Sequence, residues 1–157
     1  MQSNAFQSVP RSLCAAAMLF ILATFCLASA SNAAENGIER RPSNPGTVVY
    51  LISPAAGETV SSPVTLQFGL KGMGVAPAGV MKPGTGHHHL LIDTELPDMS
   101  LPIPADETHR HYGGGQTETE LELTPGKHTL QLLLGDERHV PHDPPVFSEK
   151  IEITVVE

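Results

Sequence analysis

Short stretches in which apolar and polar residues alternate recur through residues 47–155, and clusters of glycine and proline separate them. The alternation is clearest in residues 117–123 (TETELEL), where Leu121 and Leu123 share a face with two threonines and the glutamates lie opposite. A period of two is typical of a β-strand with one face in a core and the other in water. By this criterion six strands are predicted, at residues 47–52, 64–70, 87–93, 117–123, 128–134 and 150–155.

Residues 95–105 (ELPDMSLPIPA) form a seventh apolar segment, but this segment contains three prolines. Proline cannot donate a hydrogen bond to a neighbouring strand, so residues 95–105 are expected to be an edge strand at best. About seven short strands, with turn signals at roughly 8–12-residue spacing, are typical of sandwich domains. We therefore predict an all-β fold, an immunoglobulin- or fibronectin-like antiparallel β-sandwich.

The amino-terminal residues have a different pattern, which is that of a secretory signal peptide. Arg11 provides a positive charge, residues 13–27 form an uncharged apolar run, and residues 28–30 (ASA) provide a small-residue cleavage site. An uncleaved membrane anchor is the alternative, and the small residues after the run favour cleavage. The predicted organisation is a signal peptide at residues 1–30, a flexible linker at 31–46 and a β-sandwich domain at 47–157, located in the periplasm or secreted.

Cleavage would remove both cysteines of the chain, Cys14 and Cys26, so the mature domain would have neither a disulfide nor a thiolate metal ligand. The whole chain carries 17 acidic and 9 basic residues, a formal net charge of −8. This acidity argues against nucleic acid and anionic membrane surfaces as partners, and it is compatible with attracting cations. No later apolar run approaches the ~20 residues of a membrane-spanning helix, so no membrane association is expected after cleavage.

Seven of the eight histidines fall in three short clusters. The clusters are His87, His88 and His89; His109 and His111; and His139 and His142. Because successive strands of a sandwich run in opposite directions, the loops that carry these clusters are predicted to meet at one end of the sandwich. The eighth histidine, His128, is expected at the opposite end, a strand length of ~20 Å away.

Imidazole is the commonest metal ligand in proteins, so the clusters predict a metal site. On a strand, His87 and His89 project from one face because the side-chain period is two, and His109 and His111 do the same if they are extended. Sets of three or four imidazoles suit zinc or copper. The candidate ligands are His87, His89, His109, His111, His139 and His142.

Residues near the clusters extend this prediction. Asp136, Asp143 and Glu107 are candidates to hydrogen-bond the ligand rings and hold their tautomers. Met73 and Met81 lie in a neighbouring loop, where a thioether ligand would favour copper. Methionine more often fills gaps in a core, and that is the role expected for both.

Two histidines are expected to have structural roles instead. His88 is in phase with Leu90 and Ile92 on its strand, which indicates a hydrogen-bonded residue at the edge of the core. His128 follows a Pro-Gly turn at the start of a strand, where sandwich domains often place a tyrosine that hydrogen-bonds back to the chain.

Other functions stay open at this point. The clustered histidines could be a polar network that ties loops together or a pH-responsive surface. The loops at residues 71–86 and 136–146 are long enough for a non-enzymatic module to contact another exported protein. A metal-dependent hydrolase or oxidoreductase would need a general base such as Glu107 or Asp143. No nucleophile elbow, zincin motif or cofactor fingerprint occurs in the sequence, so an enzyme is the less favoured class.

The segment GHHHLLID (residues 86–93) resembles a family of secreted bacterial proteins known as domain-of-unknown-function family 4399. Further segments similar to this family are at residues 60–79, 111–118, 125–136 and 139–146. The resemblance implies a small extracytoplasmic β domain. It supplies no activity, ligand or catalytic residue, so the functional argument depends on the residues themselves.

Overall fold

The computed structural model describes residues 38–157. The predicted signal peptide and the first part of the predicted linker lie outside the described residues. Within residues 38–157 there is no helix that is long and apolar enough to cross a membrane.

Residues 38–157 form nine β-strands and no helix, so the fold is all-β as predicted. The strands are β1 (Val48–Ser53), β2 (Thr59–Ser61), β3 (Val64–Lys71), β4 (Gly74–Val75), β5 (Thr85–Ile92), β6 (His109–Tyr112), β7 (Glu118–Leu121), β8 (Gly126–Gly135) and β9 (Ile151–Val156).

The strands form two sheets. The smaller sheet has the order β1-β3-β7 and is antiparallel. The larger sheet has the order β2-β9-β8-β5, and both β4 and β6 pair with the remaining edge of β5. Two pairings in the larger sheet, β2 with β9 and β4 with β5, are parallel, so the predicted purely antiparallel arrangement is corrected to a mixed one. The immunoglobulin or fibronectin type stays a prediction.

An aliphatic core lies between the two sheets, as the alternating sequence pattern predicts. Leu66 on β3 packs in one cluster with Leu90 on β5 and with Leu130, Leu132 and Leu134 on β8, and none of these five is exposed. Burying one leucine side chain contributes roughly 1.5–3 kcal/mol relative to leaving it in water. The inward-facing positions of β3, β5 and β8 therefore supply much of the stability, and they determine which residues of β5 face outward.

A second, smaller cluster covers the opposite face of the larger sheet. Ile103 packs there against Leu91 of β5 and Leu133 of β8, and Leu96 and Met99 pack against the cluster. These contacts come from residues 95–105, which form no strand, so the predicted edge strand is wrong. The prolines remove the backbone donors that a ladder needs, and the apolar residues pack onto the outer face of the sheet instead.

Part of the segment predicted to be a flexible linker is bound to the domain. The amino-terminal arm (residues 39–44) contacts the loop between β8 and β9, where Arg41 donates two hydrogen bonds to Glu137 at 3.0 and 2.8 Å. Arg40 donates to the carbonyl oxygens of Pro141 and His142. The backbone nitrogen of Asp143 donates to the Arg41 carbonyl oxygen at 2.8 Å. The ordered domain therefore begins before residue 47.

Candidate metal centre

Strand β5 places the consecutive histidines on opposite faces of the larger sheet. His88 faces the core, where its ring lies 5.3 Å from the Phe68 ring. His87 and His89 face outward with Leu91, yet both are 0% exposed because loops cover this face. The site is therefore on the outer face of the larger sheet, where the first residues of β5 lie beside the last residue of β8. Side-chain alternation along β5 determines this face, which the prediction of a site at one end of the sandwich did not specify.

The register between β5 and β6 supplies a third imidazole. His111 on β6 is the direct partner of His89 in the antiparallel ladder. The ring of His111 lies 5.0 Å from the rings of both His87 and His89, centroid to centroid. One donor atom from each of these three histidines lies within 4.8 Å of the others.

The closest pair of donor atoms is the Nε2 atoms of His87 and His89, which are 3.0 Å apart. Two nitrogens that each lie ~2.0–2.1 Å from one ion are separated by roughly 2.9–3.4 Å in square or tetrahedral geometry. The observed separation suits a shared ion. It equally suits a hydrogen bond between two neutral rings, in which one Nε2 donates its proton to the other.

The loop after β8 adds a fourth imidazole. The His139 ring lies 4.6 Å from that of His111 and 5.1 Å from that of His87. His139 has a φ of +68°, a left-handed conformation that costs a non-glycine residue about 1–2 kcal/mol. We call His87, His89, His111 and His139 the histidine cluster.

Asp136 holds the loop that carries His139. Its carboxylate is 0% exposed, and Oδ1 accepts hydrogen bonds from the backbone nitrogens of Arg138 at 2.8 Å and Val140 at 2.9 Å. The Asp136 carbonyl oxygen also accepts from the backbone nitrogen of His139 at 2.9 Å. Asp136 thus fixes the residues on both sides of His139, and it acts through the backbone rather than by holding a ring tautomer.

Two glycines make room for the rings, and sequence reasoning missed both. Gly135 is the ladder partner of His87 on β8, and a Cβ added there would lie 2.9 Å from the Nε2 of His89. Gly113 directly follows β6, and a Cβ there would lie 2.2 Å from the Cε1 of His111. Because neither glycine has a side chain, the rings of His89 and His111 can lean towards His87.

Three rings of the cluster favour the neutral state near physiological pH. Burial, followed by repulsion from His111 and His139, lowers the pKa of His87 to about 4. Burial, followed by the neighbouring imidazoles, lowers the pKa of His89 to about 2. Burial and then His139 also lower the pKa of His111. Each of these three rings therefore has one unprotonated nitrogen near pH 7, which is the state that a metal ion requires.

The two buried rings also have unused polar atoms. The Nδ1 atoms of His87 and His89 are buried and have no hydrogen-bond partner among the described residues. Leaving a buried polar atom unsatisfied costs about 1–3 kcal/mol. Such groups are uncommon in native proteins, and the Nε2 of His88 and the Nδ1 of His142 are two more among the described residues.

Two of the six predicted ligands lie outside the cluster. The Nδ1 of His109 is 2.9 Å from the Oδ1 of Asp106 and 3.1 Å from the Thr108 hydroxyl. His142 is buried, and its Nε2 is 3.2 Å from the carbonyl oxygen of Thr85. The structure thus brings four of the six predicted residues together, namely His87, His89, His111 and His139.

The two histidines predicted to be structural have the expected contacts. The Nδ1 of His88 is 3.2 Å from the Gln116 carbonyl oxygen. His128 lies between the Asp93 carboxylate at 2.7 Å and the Thr124 carbonyl oxygen at 2.8 Å. The contact with Thr124, four residues upstream, is the backbone contact that was predicted by analogy with the tyrosine of sandwich domains.

The other predicted neighbours lie apart from the rings. Asp143 pairs with Arg40 at 3.4 Å, and Glu107 is exposed. Met73 packs against the core as expected, whereas Met81 is 72% exposed, so the gap-filling role predicted for Met81 is wrong. The thioether that would have favoured copper therefore has no observed contact with the cluster.

Comparison with known protein families matches residues 66–156 to the family described as Domain of unknown function (DUF4399). The chain belongs to the DUF4399 family. This confirms the resemblance noted in the sequence, and the matched region of this DUF4399 protein includes the whole histidine cluster. No curated protein and no solved structure matches the chain.

Proposed function

We propose that this DUF4399 protein is an exported domain that binds one copper or zinc ion through the histidine cluster. The observation that carries the proposal is the approach of donor atoms from His87, His89 and His111 to within 4.8 Å of one another. His139 is proposed as the fourth ligand because its ring lies 4.6 Å from that of His111. The role would be metal buffering, delivery or sensing in the periplasm or outside the cell.

The arrangement of the cluster supports this proposal over a purely structural histidine network. A network that only ties loops together does not require donor atoms from three rings to lie within 4.8 Å of one another. It would also have no need for the left-handed backbone that directs His139. If the Nε2 atoms of His87 and His89 bind an ion, each Nδ1 carries a proton and keeps its ring neutral.

Metal binding can be tested on the untagged mature protein. Competition titrations with Cu(II) and Zn(II) should give one ion per chain with a dissociation constant well below micromolar. The double variant His87→Gln/His89→Gln should lose this binding, whereas His128→Gln, which removes an imidazole far from the cluster, should keep it. Binding weaker than micromolar, or binding that both variants retain equally, would contradict the proposal.

Unfolding measurements on the same variants distinguish metal binding from the alternative function as a protein-interaction module. If the histidine cluster is only a structural network, the double variant should lose stability in the absence of metal, and the wild type should gain none from the ion. A ligand that binds at 100 times its dissociation constant stabilises the folded state by ~2.7 kcal/mol. Thermal unfolding with and without Cu(II) or Zn(II) measures this gain directly.

A further inference from the structure

The proposed metal site consists only of neutral donors. The group of residues that can hold an ion contains three histidines and no carboxylate. The nearest organised acid on the same loop as His139 is Asp136, whose Oδ1 already accepts hydrogen bonds from two backbone nitrogens. Asp136 raises the pKa of His87 less than His111 and His139 lower it, and its carboxylate is paired with Arg138. A divalent ion bound by the imidazoles would therefore keep most of its positive charge.

The site also has a closed side and an open side. His87 and His89 are 0% exposed and approach an ion from the sheet, whereas His111 is exposed and His139 is partly exposed. An ion held by all four would thus have protein on its inner side and solvent next to its outer side. Copper(II) held by four nitrogens can take a further ligand from solvent, and zinc can do so when only three of the four imidazoles bind it.

The rim of the open side is built from small residues. The backbone nitrogen of Ala78 donates to the Gly113 carbonyl oxygen at 2.8 Å, and that of Gly79 donates to the Glu137 carbonyl oxygen at 2.9 Å. Residues 78–79 therefore connect the turn beside His111 with the loop that carries His139. A Cβ at Gly79 would meet nothing within 4 Å, whereas the space beside Gly113 is taken by the ring of His111.

We infer that the loaded site takes an anionic ligand, with an oxygen or nitrogen donor such as a carboxylate, as the outermost ligand of the ion. The reason is electrostatic, because an uncompensated charge that is half removed from water is costly unless an opposite charge pairs with it. This inference rests on the proposed metal binding. The inference adds to the proposed function that the bound ion stays accessible to an external carboxylate, from a small acid or from a partner protein.

Azide is a suitable probe, because it is a small anion whose binding to Cu(II) produces a charge-transfer absorption band. The Cu(II)-loaded wild-type protein should show a saturable band on azide addition, together with a changed electron paramagnetic resonance spectrum. Sodium perchlorate at the same ionic strength, a poorly coordinating salt, should produce neither change. Acetate should compete with azide and reduce the band, because a carboxylate would occupy the same position.

A second measurement on the same sample does not depend on the probe. An exchangeable position on Cu(II) predicts raised water-proton relaxation, which azide should suppress as it displaces water. If the protein binds Cu(II) stoichiometrically but azide and acetate leave absorption, resonance spectrum and relaxation unchanged, the inference is overturned and the metal site stands. If neither Cu(II) nor Zn(II) binds, the proposed function itself fails, so the two failures are distinguishable.

Discussion

Replacing Gly113 with alanine should remove one metal ligand without disturbing the fold. A Cβ at this position would lie 2.2 Å from the Cε1 and 2.3 Å from the Nε2 of His111, where ordinary contacts begin at 3.4 Å. The ring would have to move by about an ångström or more to relieve the overlap. Metal–nitrogen distances tolerate only ~0.2 Å, so His111 should leave the coordination sphere.

The expected magnitudes separate metal binding from stability. Gly113 does not have a positive φ, so alanine is compatible with its backbone and should stabilise the fold by ~0.4–1 kcal/mol. The displaced ring, which is exposed and can swing into solvent, costs ~0.5–1.5 kcal/mol if it leaves its preferred rotamer. The net change in the free energy of unfolding should therefore stay within about 1 kcal/mol. Metal affinity should fall by more than tenfold, or at least ~1.4 kcal/mol.

The assay is a competition titration with Cu(II) or Zn(II), paired with urea unfolding of the metal-free protein. Gly114→Ala is the matched control, because a Cβ at Gly114 would meet only the side chain of Gln116, at 3.0 Å. An affinity in Gly113→Ala within twofold of wild type, with unfolding also unchanged, would refute the placement of His111 as a ligand. Equal losses of affinity in both glycine variants would show that the turn, rather than the ring, is responsible.

Three further predictions concern the residues around the cluster. Asp136→Ala should destabilise the metal-free protein by about 2–4 kcal/mol in urea unfolding, because the backbone nitrogens of Arg138 and of buried Val140 lose their acceptor, and should also weaken metal binding. The metal-free protein should lose stability as the pH falls from 6.5 towards 4, because the unfolded state takes up protons there while folded His87, with a pKa of about 4, does not. The loss from His87 is about 3 kcal/mol at pH 4, and a flat unfolding midpoint between pH 7 and pH 4.5 would contradict this assignment. His128→Gln should cost about 1–2 kcal/mol of stability through its contacts with Asp93 and Thr124, and a change in metal affinity in this variant would be inconsistent with its distant role.

The main strands were predictable because apolar and polar residues alternate along them, and the apolar residues are the buried ones. The inward leucines of β8 and the inward residues of β3 have a period of two over most of each strand, and the structure places them in one core. The short strands were missed for a physical reason. β2 and β4 have three and two residues, which is too few for a period to be visible, and β6 (HRHY) has no aliphatic residue.

The candidate site was predictable in its residues but not in its location. The count and spacing of the histidines point to a metal, yet their placement depends on which face of β5 meets the core. Leu90 and Ile92 were in the expected core phase, and His88 shares it, so His87 and His89 had to face outward. The sequence prediction placed these residues at the start of a strand, which in the structure begins two residues earlier, at Thr85, but it did not say which face of the sheet would carry the rings.

The exclusion of His109 and His142 depends on tertiary contacts that spacing does not encode. His109 shares a strand face with His111, but Asp106, three residues earlier, accepts a hydrogen bond from its backbone nitrogen and contacts its ring. His142 follows a loop that the amino-terminal arm contacts, and its ring is directed to the Thr85 carbonyl oxygen. The Asp106 carboxylate and the amino-terminal arm therefore determine which imidazoles can bind an ion. Neither contact produces a periodic pattern in the sequence.

The cluster makes the metal-free fold less stable than an apolar surface would, and this adds to the evidence of the converging donor atoms. Two buried Nδ1 atoms without partners cost about 1–3 kcal/mol each, and the left-handed backbone at His139 costs about 1–2 kcal/mol more. The depressed pKa values of His87 and His89 add a further loss of stability in acid. The neighbouring Leu91, Ile103 and Leu133 show that this same sheet face can be covered by aliphatic residues without such costs. The histidine cluster lowers the stability of the metal-free fold, whereas aliphatic residues on the same sheet face do not, and ion binding is a physical reason for keeping the histidines. A bound ion would raise the free energy of unfolding by an amount that grows with its affinity.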